Sequence, residues 1–230
     1  MLKARNISGG YGEVVVLHDI SFEVNNEVFA ILGANGAGKT TLLKTLARLL
    51  PLSAGEIEFD DENISTTPAY DLPAKGIAYV PQEHNVFPDM TVAENLSLGG
   101  LLDPATRQER QSEVYDLFPR LADRKEQVAG SLSGGEGQML AVGRVLMQEP
   151  KIILMDEPSA GLSPLFVDTL FQKISEIRKN KKVTVILAEQ NGVKALEIAN
   201  RVLVLSLGKI FLLENANKLD QSKLKEAYQI

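Results

Sequence analysis

The sequence contains no cysteine. That excludes disulfides, thiolate nucleophiles and thiolate metal sites, and it is compatible with a reducing compartment. Basic residues are also not in excess. Lys and Arg number 24 against 30 Asp and Glu, for a formal net charge of -6. A protein that holds a nucleic-acid backbone displaces counterions with a surplus of positive charge, and none exists here, so no nucleic-acid partner is expected. No apolar run approaches the roughly 20 residues needed to cross a bilayer. The opening Met1-Leu2-Lys3-Ala4-Arg5-Asn6 shows no secretory apolar region, so a cytoplasmic chain is expected, with any membrane association made through a partner. Internal repeats and low-complexity linkers are missing as well. What remains is 230 residues, 44% hydrophobic and 23% charged. That composition suits a soluble globular protein with a substantial core, as one large domain or one domain with an insertion.

The apolar pattern alternates between two periods. Val14–Leu17 and Ile20–Val24 read as short strands separated by His18-Asp19. A buried strand over Val28–Leu32 leads into a Gly-rich turn and then a helix over Lys39–Leu50, stopped by Pro51. Glu56–Phe59 and Ile77–Val80 read as further strands. From Thr91 to Met147 the spacing is helical throughout. Beyond Pro150 the chain alternates again: strand Ile152–Met155, helix Pro164–Lys179, strand Val183–Ala188, short helix Val193–Ile198, and a hairpin of Val202–Leu205 with Lys209–Leu213 around Leu207-Gly208. The polar tail from Asn215 to Ile230 reads as helical. Strands alternating with helices predict an α/β fold with a largely parallel sheet, and the helical middle reads as an insertion into it.

Gly33-Ala34-Asn35-Gly36-Ala37-Gly38-Lys39-Thr40 fits G-x-x-x-x-G-K-[ST], between a buried strand and a helix as the motif requires. Glycines let the backbone wrap closely around phosphates, while successive N–H groups and the helix N-terminus supply partial positive charge. Lys39 adds a full charge for the β and γ phosphates of ATP, and the Thr40 hydroxyl can ligate Mg²⁺. The apolar strand Ile152–Met155 delivers Asp156 and Glu157 at its end. Asp156 suits a Mg²⁺ ligand acting through water, and Glu157 suits a group that orients or deprotonates the attacking water. By itself an Asp-Glu pair after a strand is a weak signal, and the phosphate loop is what gives it meaning.

Leu132-Ser133-Gly134-Gly135-Glu136-Gly137-Gln138 resembles the signature motif of ATP-binding cassette (ABC) proteins. A helix start capped by Ser133 explains the same residues locally and does not compete with that resemblance. The other family positions follow in order. Tyr11 resembles the aromatic residue that stacks on adenine, and Val16 the apolar residue beside it. Thr41 ends the phosphate loop. Gln82, in Val80-Pro81-Gln82-Glu83, looks like the Q-loop glutamine that touches Mg²⁺ or water and senses the membrane partner. Ser159-Ala160-Gly161-Leu162-Ser163 takes the place of the D-loop. Gly161-Leu162-Ser163-Pro164 and Glu189-Gln190-Asn191, with the phosphate loop and signature, resemble the LivF-type ATPases of branched-chain amino acid importers. Most ABC ATPases carry a switch histidine where this chain has Gln190; its two histidines, His18 and His84, lie elsewhere. Departures are Gly137, Ser163 in place of an acidic D-loop residue, Asn26 where glycine is usual, and Gln82 where LivF-type chains often have Glu.

The resemblance implies a P-loop NTPase of ABC type: a RecA-like parallel-sheet core, an N-terminal antiparallel β subdomain and an inserted α-helical subdomain. It divides a single nucleotide-binding domain into a core over residues 1–84 and 150–214, a helical subdomain over about 85–149 and a tail over 215–230. It implies ATP hydrolysis with Mg²⁺ at composite sites. The loop, Asp156 and Glu157 of one subunit face Ser133, Gly134, Gly135 and Glu136 of a second, in a homodimer or beside a LivG-like chain. Further implied partners are transmembrane permease subunits, with an external binding protein reached indirectly. The ATPase would then sit peripherally on the inner face of the cell membrane. Other readings are an importer of urea or amides, and a soluble ABC ATPase acting on ribosomes or in DNA repair.

Overall fold

In a computed structural model, residues 1–83 and 85–219 are described. The chain opens with β1 (Leu2–Tyr11) and β2 (Val14–Val24), paired antiparallel. Sequence spacing misses β1 and splits β2, and both errors have one cause. Asn6 and Asp19 take left-handed backbone angles, φ 50° and 54°, at register shifts in the pairing. A bulge adds a residue and breaks the two-residue period on which strand reading depends. The Asn6 amide donates to the Asp19 carboxylate at 2.7 Å, tying the two irregularities together. His18-Asp19 is therefore a bend inside one strand.

The strand before the Gly-rich loop is β3 (Val28–Leu32), buried at all five positions. It is entered through Asn26, whose φ of 45° shows asparagine taking the left-handed turn that glycine usually makes. Helix α1 (Lys39–Leu46) ends four residues earlier than predicted, because Arg48 turns left-handed at φ 56° and breaks the ladder. Strand β4 (Leu52–Phe59) then starts directly after Pro51 and pairs with β1, and β5 (Glu62–Asn63) completes a four-stranded antiparallel sheet. A short helix α2 (Leu72–Lys75) leads to β6 (Ile77–Val80).

Helices α3 (Val92–Gly99), α4 (Arg107–Leu117), α5 (Pro119–Asp123) and α6 (Gly134–Leu146) lie between β6 and β7 (Ile152–Asp156), as the helical spacing implied. The remainder is α7 (Pro164–Lys181), β8 (Thr184–Glu189), α8 (Gly192–Ile198) and the hairpin β9 (Arg201–Ser206) with β10 (Lys209–Asn215). Leu207 and Gly208 turn that hairpin, both with positive φ, as a two-residue loop requires. Only Asn215–Leu219 of the predicted helical tail is described, with a short 3₁₀ turn at Ala216–Lys218; the rest lies outside the described residues, as does His84.

The second sheet has the order β10-β9-β3-β8-β7-β6, parallel except for β10. Its side chains alternate between two cores, as strand pleating dictates. Phe29, Ile31, Leu154, Ile186 and Leu203 pack with α1, β1, β2 and β4 on one face. Ala30, Leu32, Met155, Leu187 and Val204 pack with α3, α6, α7 and α8 on the other. Each face is covered, so the strands between read as continuous apolar runs. The C-terminal ends of β3, β7 and β8 meet at one edge, where parallel sheets place their ligands.

Candidate functional site

The phosphate loop is shaped by glycines for different reasons at different positions. Gly33 leaves β3 with φ 155°, and a Cβ there would lie 2.5 Å from the Leu205 carbonyl oxygen. Gly36, at φ 79°, has nothing near its missing Cβ, so conformation rather than crowding requires it. Gly38 caps α1 with no side-chain bond, which leaves the first-turn N–H groups turned to the loop.

Lys39 is nearly buried, at 4% exposure. Its Nζ donates to the carbonyls of Gly33 at 3.0 Å and Ala34 at 3.3 Å, and pairs with Glu157 Oε1 at 3.2 Å. All three ammonium donors are thus engaged by protein oxygens. Thr40 donates to Asp156 Oδ1 at 3.0 Å, and Tyr79 donates to Asp156 Oδ2 at 3.2 Å. Burial raises the Asp156 carboxyl above its ordinary range, against the pull of these two donors, and the Glu157 charge adds to the rise. Burial, followed by the Asp156 charge, pushes the Tyr79 phenol far up, so it stays a donor.

Glu157 is held at φ 42°, a strained angle for a residue with a Cβ. Its N–H donates to the Ala188 carbonyl at 2.9 Å, and its Oε2 accepts from Gln82 at 3.4 Å. Gln190 follows β8 and lines the same cleft of about 690 Å³ as Val16, Lys39, Thr40, Gln82 and Glu157. Asn35, Gly36, Gly38 and Thr41 form the rest of the loop side, while Ala37 is buried beneath it. The cap of α8 is Asn191, whose side chain accepts from Lys194 N–H at 3.3 Å, so helix capping does not account for Gln190.

Not every predicted position joins the cleft. Tyr11 stands at the end of β1, 46% exposed, outside the lining. Ser133, Gly134, Gly135 and Glu136 start α6, and none lines the cleft. There Ser133 and Glu136 form a reciprocal cap, with Ser133 N–H donating to Glu136 Oε2 at 3.1 Å and Glu136 N–H to Ser133 Oγ at 3.4 Å. Arg124 pairs with the other Glu136 oxygen at 3.1 Å. Burial alone would raise the Glu136 carboxyl, but the Ser133 bonds and the Arg124 and Arg120 charges outweigh it and hold it below its ordinary value. Gly135 has no room for a side chain: a Cβ would lie 2.2 Å from the Phe166 ring. Gly137 faces open space, so its lack of a side chain leaves no hole in the packing.

Sequence reading did not single out Tyr79, Glu189 as a side chain with work at the site, or Gly208. Gly208 N–H donates to the Ala37 carbonyl of the loop at 3.0 Å, and its own carbonyl accepts from His18 N–H at 2.8 Å. A polar tyrosine two residues before Pro81, in an otherwise apolar strand, was the available signal for Tyr79.

The ABC transporter family profile matches residues 17–160. The chain is 43% identical over 231 residues to the "High-affinity branched-chain amino acid transport ATP-binding protein BraG" of Pseudomonas aeruginosa, covering 99% of each. It is 36% identical to the "Probable branched-chain amino acid transport ATP-binding protein LivF" of Archaeoglobus fulgidus, covering 95% of this chain and 94% of that one. Among solved structures, a nucleotide-free ATP-binding cassette from an ABC transporter superposes with a TM-score of 0.85 at 27% identity, covering 99% of this chain and 94% of that chain.

Proposed function

The chain belongs to the ABC transporter family and is an ATP-hydrolysing protein of it; on that premise we propose that it powers uptake of branched-chain or related amino acids through separate membrane subunits. The observation that carries the catalytic part is the meeting of Lys39, Thr40, Glu157 and Gln82 at one cleft, with Asp156 buried behind it and bonded to Thr40. The cargo reading is supported by the near full-length similarity to BraG and LivF.

In this reading the loop N–H groups and Lys39 bind the phosphates of ATP. Lys39 exchanges its Glu157 partner for phosphate oxygen, which frees the Glu157 carboxylate at the cleft. Glu157 takes the proton from the water whose oxygen attacks the γ phosphorus, and the bond to ADP oxygen breaks. Gln82 and Gln190 hold that water or the γ phosphate by hydrogen bonds from their side-chain amides, and neither can titrate there. Thr40 and Asp156 would hold Mg²⁺. Their adjacent hydroxyl and carboxylate are hard oxygen donors, and among the described residues no cluster of three or more His, Cys, Asp or Glu offers a full cage. A Mg²⁺ held by one or two protein oxygens, with phosphates and water filling the rest, suits that set. Once bound, it would neutralise charge on the phosphate oxygens.

Ser133–Glu136 start a different helix and do not line this cleft, which supports a composite site completed by a second ATPase subunit, an identical one or a LivG-like one. No helix of the described residues is long and apolar enough to cross a membrane. In this reading attachment to the inner face runs through permease subunits, with an external binding protein delivering cargo to them. The docking face in this reading is the groove by Gln82 and the helical insertion. Phe87 is 47% exposed there, with the Arg144 guanidinium 4.9 Å from its ring centre.

Affinity purification of the tagged chain from native membranes tests this. Recovery of permease subunits, with turnover stimulated by branched-chain amino acid and binding protein in proteoliposomes, is the expected result. Recovery with ribosomes, or with a permease whose cargo alone stimulates turnover and is not an amino acid, overturns the reading. Phe87→Glu should reduce permease recovery while leaving folding intact.

A further inference from the structure

Glu189 ends β8 with a side chain only 2% exposed. A buried carboxylate is costly unless donors compensate it. Here three donors offset part of that cost, while burial still raises the carboxyl above its ordinary range. Ser159 N–H donates to Oε1 at 3.0 Å and Ser159 Oγ donates to Oε2 at 2.9 Å. The Asn191 N–H supplies the third. Ser159 lies two residues after Glu157, on a loop whose backbone is already fixed by the bonds from Glu157 N–H to Ala188 and from Ala160 N–H to Glu157, at 2.9 and 3.0 Å. Asn191 lies directly after Gln190. One carboxylate therefore grips the loop that carries Glu157 and bridges across the backbone of Gln190.

We propose that Glu189 is a positioning residue for hydrolysis: it sets the Glu157 loop and the Gln190 loop in a single mutual geometry. Its side chain does not line the cleft. Its effect runs through the placement of the two groups that do, and this inference rests on the site reading given above. A misplacement of about 1 Å in such a pair can cost on the order of 10²-fold in rate. The nearby alternative is that Glu189 only closes a polar gap under the loop and contributes stability alone.

The experiment measures kcat, KM, ATP affinity and thermal midpoint for the wild type, Glu189→Gln, Ser159→Ala and their double variant. A placement role lowers kcat about tenfold or more in Glu189→Gln with ATP affinity within about twofold, since only the transition state needs the geometry. The double variant should then be little worse than Glu189→Gln, because both changes break one contact. A lowered midpoint with unchanged kcat, or fully multiplicative losses, overturns the proposal. Ser159→Ala keeps its N–H bond to Glu189, so it serves if the glutamine variant does not fold, with a smaller kcat loss expected and an unchanged kcat contrary. Turnover of Glu157→Gln measured beside that of Glu189→Gln separates the two readings. If Glu157→Gln alone turns over normally, the base assignment fails. If it is inactive while Glu189→Gln alone is fully active, the positioning role fails and the base assignment stands.

Discussion

Replacing Glu157 by glutamine changes almost no volume but removes both a base and a charge. The carboxylate lies 3.2 Å from Lys39 Nζ, with the two side chains 15% and 4% exposed. At an effective dielectric of about 20, that separation corresponds to a gross attraction of about 5 kcal/mol. Incoming phosphate must replace this partner and also feels its negative charge. If only about 1.4 kcal/mol of the competition is released in the glutamine variant, ATP binds about tenfold more tightly. Hydrolysis should fall at least about 10²-fold through loss of the base. Phosphate release gives the turnover, calorimetric titration gives the affinity, and size-exclusion chromatography should show a dimer that needs ATP. Turnover within about tenfold of wild type, or weaker ATP binding, would refute the reasoning.

Gln190→Ala should lower kcat more than ATP affinity, and Gln190→His should keep more activity while adding a pH dependence between about 6 and 7, measured as turnover across that range. Tyr79→Phe removes one of two donors to Asp156, a bond of the kind worth about 1.5–3 kcal/mol to a charged group; the Mg²⁺ needed for half-maximal turnover should rise several-fold, and an unchanged Mg²⁺ titration would count against it. Glu136 has its folded pKa below the ordinary carboxylate value of 4.5, so its charge stabilises the fold fully above that pH and the contribution is lost as pH falls through the folded value. Glu136→Gln should therefore lower stability at neutral pH by about 0.5–1 kcal/mol in denaturant titrations, with the gap from wild type closing as pH falls below 4.5.

The parts of the cleft that were legible each sit in a short contiguous motif. The phosphate loop declares itself because its glycines, lysine and threonine sit within eight residues between a strand and a helix. Glu157 and Asp156 are legible because an apolar strand delivers them. Tyr79 and Glu189 act through register instead: parallel pairing sets Tyr79 beside Leu154 and Asp156 beside Ala188. No local pattern states which strands will be neighbours, so these two partnerships could not be read. The first strand was lost for a different reason, since the bulge at Asn6 displaces Ile7 from the alternation begun by Leu2 and Ala4.

The phosphate loop is held by segments that a ribosome makes long after the loop itself. Strand β3 pairs on one side with Thr184–Glu189 and on the other with Arg201–Ser206, and Gly208 then closes on Ala37 from beyond both. A chain that has emerged only as far as α7 carries every residue of the loop but neither neighbouring strand. Domains generally fold as units during synthesis, and the contacts of this cradle are complete only once the β9–β10 hairpin is free. A stalled nascent chain ending before β8 should therefore fail to retain nucleotide although its motif is complete, and the capacity should appear within the short stretch of synthesis that exposes Gly208.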